Sequence, residues 1–266
     1  MALVFRALYQ FYFDYVEGKK DPRIDHYPLL GSPIKIITVL GLYLYFVSSY
    51  GRKFMENRQP FELNKIMTIY NAIQVIINGI YSMVAIHAIF FYYDYSKEWR
   101  NYCAPPDYSY TEKGYFEARM TYIYFLFKIL DLLDTIFFVL RKRYKQITFL
   151  HVYHHLGICF GVWIGVRYCP GGHTGILGLI NCIVHTIMYF YYFLTAFKPE
   201  LKKSLWWKKY ITIIQMTQFS FLILHFSIPI IRGNCGYPFF WLMVLVIQNT
   251  FMLILFSDFY IRALEI

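Results

Sequence analysis

Seven windows, roughly 31–50, 66–93, 118–140, 148–166, 174–196, 210–230 and 238–258, each run for about twenty residues with few or no charges. A helix of that length crosses the ~30 Å hydrocarbon core of a bilayer. No other feature constrains the fold so strongly. Backbone amides in hydrocarbon find no water, so each segment must satisfy its own hydrogen bonds, and long continuously apolar segments do so as helices. Composition agrees: 58% of the 266 residues are apolar and 22% aromatic, with a mean hydropathy of +0.39. That exceeds the near-half apolar share of ordinary soluble domains. The expected fold is an all-α membrane protein with seven transmembrane helices. It divides into an N-terminal segment 1–30, a membrane domain 31–258 and a short tail 259–266, with no separate soluble module.

The net charge of +10 is unevenly placed. Connectors 51–65, 141–147 and 197–209 hold four, four and five Lys or Arg, whereas 94–117, 167–173 and 231–237 hold three, one and one. The positive-inside rule puts the first set in the cytosol, which makes the N-terminus luminal and the C-terminus cytosolic. Lys19, Lys20 and Arg23 pull against that orientation, but nearby acids accompany them. Cys103, Cys169 and Cys235 all fall in expected luminal connectors, where an oxidising compartment permits disulfides. A Cys103–Cys235 bridge would tie spans two and three to spans six and seven; unpaired loop thiols are the alternative. Residues 1–30 lack the continuous apolar core of a cleavable signal peptide, so the first span is expected to direct insertion. Basic residues flank spans instead of forming a separate face, which gives no sign of nucleic-acid binding, and Trp206-Trp207 reads as an interface anchor.

Polar residues inside the spans carry the functional signal, because an ionisable group in hydrocarbon is costly to keep without a purpose. His151, His154 and His155 lie three and four residues apart on the fourth span, and so share one side of a helix. Asn181, His185, Met188 and Tyr192 form a stripe on the fifth; Lys128, Asp131, Asp134 and Thr135 form one on the third. Thr212, Gln215 and Gln218 add a fourth stripe on the sixth. Counting ~1.5 Å per residue from the flanking basic residues puts His154 at ~13 Å, Asp131 at ~15 Å and His185 at ~20 Å of depth. Gln215 and Gln218 come at ~9–14 Å. Four helices therefore bring polar groups to one slab in the cytosolic half, where they can bond one another around a wet cavity. Spans two to four and five to seven also form two triplets of opposite direction, a pattern that elsewhere places sites at the junction of inverted repeats.

These motifs resemble the very-long-chain fatty acid elongase family of the endoplasmic reticulum. The family's His-x-x-His-His box appears as His151-Val-Tyr-His154-His155, preceded by Gln146-x-Thr148-Phe-Leu. Its Lys-x-x-Glu-x-x-Asp-Thr appears as Lys128-Ile-Leu-Asp131-Leu-Leu-Asp134-Thr135, with Asp in place of Glu. Asn181-Cys-Ile-Val-His185-Thr-Ile-Met188-Tyr189 and Thr212-x-x-Gln215-x-x-Gln218-Phe219 match two further elements, so the likeness spans about the whole membrane domain. It implies that helices two to seven form a barrel around a narrow acyl channel. It also implies a condensation of long-chain acyl-CoA with malonyl-CoA to 3-ketoacyl-CoA, carbon dioxide and CoA, with no cofactor or metal. His154 would take the acyl group, and the family's disulfide maps onto Cys103 and Cys235. Endoplasmic reticulum residence rests on this resemblance and the luminal cysteines, because the chain ends Arg262-Ala-Leu-Glu-Ile266 without a di-lysine signal.

Residue chemistry fits the implied reaction. Neutral imidazole is a competent nucleophile near pH 7, and His151 or His155 could fix its tautomer. An enolate formed by decarboxylation needs preorganised donors, for which Asn181 and His185 are candidates. Lys128, Asp131, Asp134 and Thr135 orient this network or hold CoA; Gln215, Gln218 and Tyr189 position substrate. The basic rim of Arg141, Lys142, Arg143, Lys145, Lys202, Lys203, Lys208 and Lys209 suits CoA phosphates, and equally suits topology and anionic headgroups. Other elongation-cycle enzymes, or further copies, are candidate oligomer partners. Tyr168 and the neighbourhood of Pro170 are candidates for closing the channel. Three rivals stand beside this reading. A histidine-box metal-dependent lipid oxidase would need more clustered histidines than His151, His154, His155 and His185, since His26, His87, His173 and His225 read as scattered singles. A seven-span receptor or transporter fits the span count. A cysteine nucleophile would be Cys159, one turn beyond His155.

Overall fold

A computed structural model of the chain describes residues 17–92, 102–197, 205–233 and 235–264, together with 6, 9, 10 and 14. Its long helices are α1 Pro33–Met55, α2 Asn64–His87, α3 Glu112–Leu140, α4 Phe149–Tyr168, α5 Gly175–Phe197, α6 Leu205–Arg232 and α7 Phe239–Leu264. Local chemistry sets several starts. Ser32 caps α1 by accepting from Ile34 N, with Pro33 in the first helical position. The Thr111 hydroxyl caps α3 at Gly114 N, and that of Thr148 caps α4 at His151 N. Each satisfies an amide that the first turn leaves orphaned. α1 passes through a π-type turn at Phe46–Tyr50, and α2 continues into another at Ala88–Tyr92.

Six of these helices are long and apolar enough to cross a membrane: α1, α2 (through Phe91), α4, α5, α6 and α7. The remaining one, α3, has 29 residues but buries Glu117, Lys128 and Asp131. These charges lower its hydropathy below that of its neighbours, and the ring of helices around them is what makes their burial tolerable. The chain is a multi-pass membrane protein of seven long helices among the described residues. Lipid-facing character shows in the exposed Ile34, Ile76, Leu224, Phe240 and Ile254.

Helices α2 to α7 close a ring. α2 packs on α5, α5 on α6, α6 on α7, α7 on α4 and α4 on α3. The last gap closes through Tyr70 against Phe137, Tyr81 against Phe127, and Gln74 bonded to Asp131. α1 lies outside, against α4 and α3. The two triplets α2–α4 and α5–α7 thus meet at two seams, α2·α5 and α4·α7, as inverted halves would. At the crossing of α1 and α3, a Cβ on Gly51 would come within 2.8 Å of Val139 Cγ1, so this contact needs glycine.

One end of the ring is tied down by its connectors. Cys103 and Cys235 form a disulfide, while Cys169 is a buried free thiol. Arg167, 2% exposed, is bonded to Leu30 O and Glu17 Oε1, which docks the N-terminal segment on α4. Arg23, also buried, pairs with Asp21 and donates to Ser109 O. In the same connector Asp107 titrates below its ordinary value. Burial alone would raise it, but the Ser109 hydroxyl and backbone N–H, with Lys113 and Arg23, outweigh that effect. Gly172, with φ 56°, sits so close to Ala104 O (2.6 Å from a notional Cβ) that a side chain has no room.

His173 and His225 correct a sequence expectation: they are a pair, not scattered singles. Their rings stack at 3.9 Å and 7°, and each Nε2 faces the other's backbone carbonyl at 3.0 Å. The physical reason is Pro229, inside α6. A proline has no N–H to give the carbonyl four residues earlier, and that carbonyl belongs to His225. His173 supplies the missing donor. We therefore predict that His173→Ala destabilises the protein by about 1–3 kcal/mol, the cost of an unsatisfied buried acceptor. Pro229→Ala, which restores the helical N–H, should shrink that penalty. Thermal melts of the two single variants and the double variant check this; additive losses would contradict it.

Candidate functional site

Toward the other end of the ring, α2, α3 and α5 bring buried polar side chains together. The third-span stripe faces inward because Lys128, Asp131 and Thr135 are spaced by about one helical turn. Lys128 Nζ donates to Asp131 Oδ2 at 2.8 Å and to Asn181 Oδ1 at 2.8 Å, with side chains 1% and 2% exposed for the ion pair. Tyr124 OH donates to the same Asn181 oxygen at 2.9 Å. Two donors on Oδ1 settle which way the amide points. Its Nδ2 is left with no bonded partner among the described residues, and is the group available to a ligand.

His185, one turn along α5 from Asn181, places Nδ1 3.5 Å from Asp131 Oδ2. That distance and geometry fall short of a good hydrogen bond, and Nδ1 is otherwise buried without a partner. We treat the contact as electrostatic: a carboxylate beside Nδ1 favours the proton there. A neutral His185 then offers its Nε2 lone pair, and only its imidazolium, paired with Asp131, donates through Nε2. Tyr189 OH bridges the two carboxylates of α3, at 2.6 Å from Asp134 Oδ2 and 3.2 Å from Asp131 Oδ1.

The histidine box is not uniform, and the helix that carries it does not run continuously from Lys145. Tyr144–Gln146 is a separate short turn and α4 begins at Phe149, so His154 lies about 7.5 Å along the helix from its first residue. His151 Nε2 lies 2.8 Å from Thr135 Oγ1, which is 2.6 Å from Tyr43 OH on α1. His155 is buried, 4.4 Å from the His151 ring, with Nδ1 unpartnered. His154 is half-buried, as is His151. Its ring meets His155 and Phe256 and has no hydrogen bond among the described residues. Of the three imidazoles, only His151 has its ring held by a hydrogen bond among the described residues.

Other sequence candidates sit at the margin. Gln215 Nε2 reaches Met188 Sδ at 3.6 Å, joining α6 to α5, and Gln218 and Thr212 are buried. Neither glutamine bonds the Lys128–Asp131 cluster. Cys159 is fully buried. In the basic rim, Arg141 reaches Met67 Sδ and Asn64 Oδ1, and Lys142 donates to Glu56 O. Lys202 and Lys203 lie outside the described residues, as does the side chain of Trp206; Trp207 stacks on Tyr191. Among the described residues no three His, Cys, Asp or Glu side chains converge as a metal-ligand set.

Sequence reading missed the contribution of α2. Gln74 Nε2 donates to Asp131 Oδ1 at 2.9 Å and to Tyr70 OH at 2.8 Å, and Asn78 Nδ2 donates to Gln74 Oε1 at 3.0 Å. The signal was present: Tyr70, Gln74, Asn78 and Ser82 recur every four residues through an otherwise apolar span. The buried pair makes a stability prediction. Lys128→Met strands a buried carboxylate and should cost about 3–5 kcal/mol. Adding Asp131→Asn should recover much of that loss, as read from melting in detergent.

Comparison with known proteins agrees with this arrangement. Residues 28–264 match the family model described as ELO, the GNS1/SUR4 family. The chain is 40% identical over 254 residues to very long chain fatty acid elongase 7 of Drosophila melanogaster, covering 94% of this chain and 74% of that protein. It is 38% identical over 251 residues to human very long chain fatty acid elongase 1, covering 91% and 86%. Human very long chain fatty acid elongase 4 is 36% identical over 243 residues, covering 91% and 75%. With a family match over nearly its whole length and the motif residues gathered inside one helical ring, the chain belongs to the ELO family.

Proposed function

We propose that this protein elongates very-long-chain fatty acids as a 3-oxoacyl-CoA synthase, condensing a long-chain acyl-CoA with malonyl-CoA. The reading is supported by a half-buried His154 without a hydrogen bond among the described residues, in the same helical ring as the buried Lys128–Asp131–Asn181–His185 cluster. His154, neutral and without a hydrogen bond to break among the described residues, attacks the thioester carbonyl through its unprotonated nitrogen. CoA leaves as thiolate and takes, through water, the proton that the other ring nitrogen gives up, so a neutral acyl-imidazole remains; the ring recovers a proton from water when the acyl group departs. Thr135 and His155 keep the neighbouring His151 occupied, so the two are not interchangeable.

Malonyl-CoA then loses carbon dioxide, and the electron pair of that bond becomes an enolate. Asn181 Nδ2 is free to donate to the enolate oxygen; His185 adds a second donor when its neutral ring takes a second proton from solvent and stands as imidazolium beside Asp131. Fixed dipoles in a site shielded from bulk water are worth more than the same groups in solution. The enolate carbon attacks the acyl carbonyl, the bond to His154 breaks, and 3-ketoacyl-CoA departs with the imidazole regenerated.

Orientation belongs to the same proposal. The basic connectors face the cytosol, where acyl-CoA is met, and the disulfide end faces the lumen of the endoplasmic reticulum, where Cys103–Cys235 is stable. Arg141, Arg143 and Lys145 are then placed to meet CoA phosphates, while the N-terminal segment is luminal and the C-terminal tail cytosolic. Association with enzymes of the later steps of the cycle, or with further copies, would pass the 3-ketoacyl product onward.

Intact-protein mass spectrometry after exposure to one acyl-CoA tests this reading. The expected result is a mass increase of one acyl group, mapped to His154, that labelled malonyl-CoA converts to 3-ketoacyl product. His154→Ala should lose the adduct and at least about a thousandfold in rate, as loss of a covalent nucleophile does. Cys159→Ala should retain both. An acyl group recovered on cysteine, or no product across a wide panel of chain lengths, would overturn the assignment.

A further inference from the structure

We propose that Gln74 is a positioning residue for the condensation, setting the reach of Asp131 so that its carboxylate faces His185 and Lys128 together. This assignment rests on the condensation reading above. Gln74 is completely buried on α2, outside every motif that marks the site.

Its amide has one workable orientation. Asn78 Nδ2 donates both to Gln74 Oε1 at 3.0 Å and to Gln74 O at 2.8 Å. Oε1 must therefore face Asn78, and Nε2 must face Asp131 Oδ1 at 2.9 Å and Tyr70 OH at 2.8 Å. A flip would set carbonyl against carboxylate and amide against amide, two repulsive contacts between buried groups. With Oδ1 held from α2, the second oxygen of Asp131 is aimed at Lys128 Nζ, 2.8 Å away, and His185 Nδ1, 3.5 Å away. Gln74 thus acts on His185 through Asp131.

The gap between α2 and α3 is bridged by a long amide and a short carboxylate. Asp131 has one methylene where the elongase motif has the two of Glu, and Gln74 supplies two. Exchanging the lengths, with Asn at 74 and Glu at 131, spans the same gap with the same groups. A residue that merely filled space would gain nothing from that exchange.

The test compares wild type with Gln74→Met, Gln74→Asn, Asp131→Glu and the double variant Gln74→Asn/Asp131→Glu, each checked by melting temperature. Two steps are measured: acyl loading of His154 by mass, and transfer of the acyl group to labelled malonyl-CoA. Each single variant should load acyl normally and slow transfer about tenfold or more. The double variant should return to within about threefold of wild type, as coupling between directly bonded side chains requires. A double variant no faster than the slower single, Gln74→Met at the wild-type rate, or loading and transfer falling in parallel would each overturn the role of Gln74. Absence of 3-ketoacyl product from wild type at every chain length would instead overturn the condensation reading itself.

Discussion

Lys128 and Asp131 form an ion pair at 2.8 Å in the middle of a helix bundle, with 1% and 2% of their side chains exposed. Removing two charges from water costs several kcal/mol per ion, and Coulomb attraction repays it only when the remaining donors and acceptors are also satisfied. Much of the architecture can be understood as meeting that condition. α2 sends Gln74 to one oxygen of Asp131, and α5 sends Tyr189 to the same oxygen and Asn181 to the ammonium. An uncharged interior would leave the packing of α2, α3 and α5 free to slip by a turn; directional bonds from three helices to one pair fix their mutual register.

The opposite end is held by different means. Covalent linkage of Cys103 to Cys235, the buried Arg167 receiving the N-terminal segment, and the stacked His173–His225 pair knit the connectors together. None of these groups touches the Lys128 cluster. The ring is therefore held at one end by its connectors and inside by the Lys128–Asp131 network.

How legible this was from sequence differed by kind of interaction. The helices were readable because hydrocarbon leaves the backbone one solution, and the third-span stripe because three charges in an apolar window demand a reason. The single charged helix misled only hydropathy, since Lys128 and Asp131 neutralise each other in space but not in a windowed average. Gln74 and Asn78 repeat every four residues as plainly as the charged stripe. Yet amides in a span usually bond neighbouring helices, and nothing in one sequence says that this one meets a carboxylate. The His173–His225 pair joins residues 52 apart. Its one sequence trace was Pro229, which announces an orphan carbonyl at position 225 without naming the donor. For His154 the residue count assumed continuous helix from Lys145, whereas Tyr144–Gln146 makes a separate turn before the Thr148 cap.

That cap bears on the box itself. Thr148 bonds His151 N, so His151 stands in the first turn of α4 with its ring drawn to Thr135, while His155, one turn on, packs beneath it. His151 is thereby tied to α3. His154 is turned about 100° from His155 by the helical repeat, with its ring near Phe256 on α7. Three identical side chains within five residues therefore meet three environments, set by helical phase and by which neighbour offers a hydroxyl. The middle histidine is left with a ring that no hydrogen bond claims among the described residues.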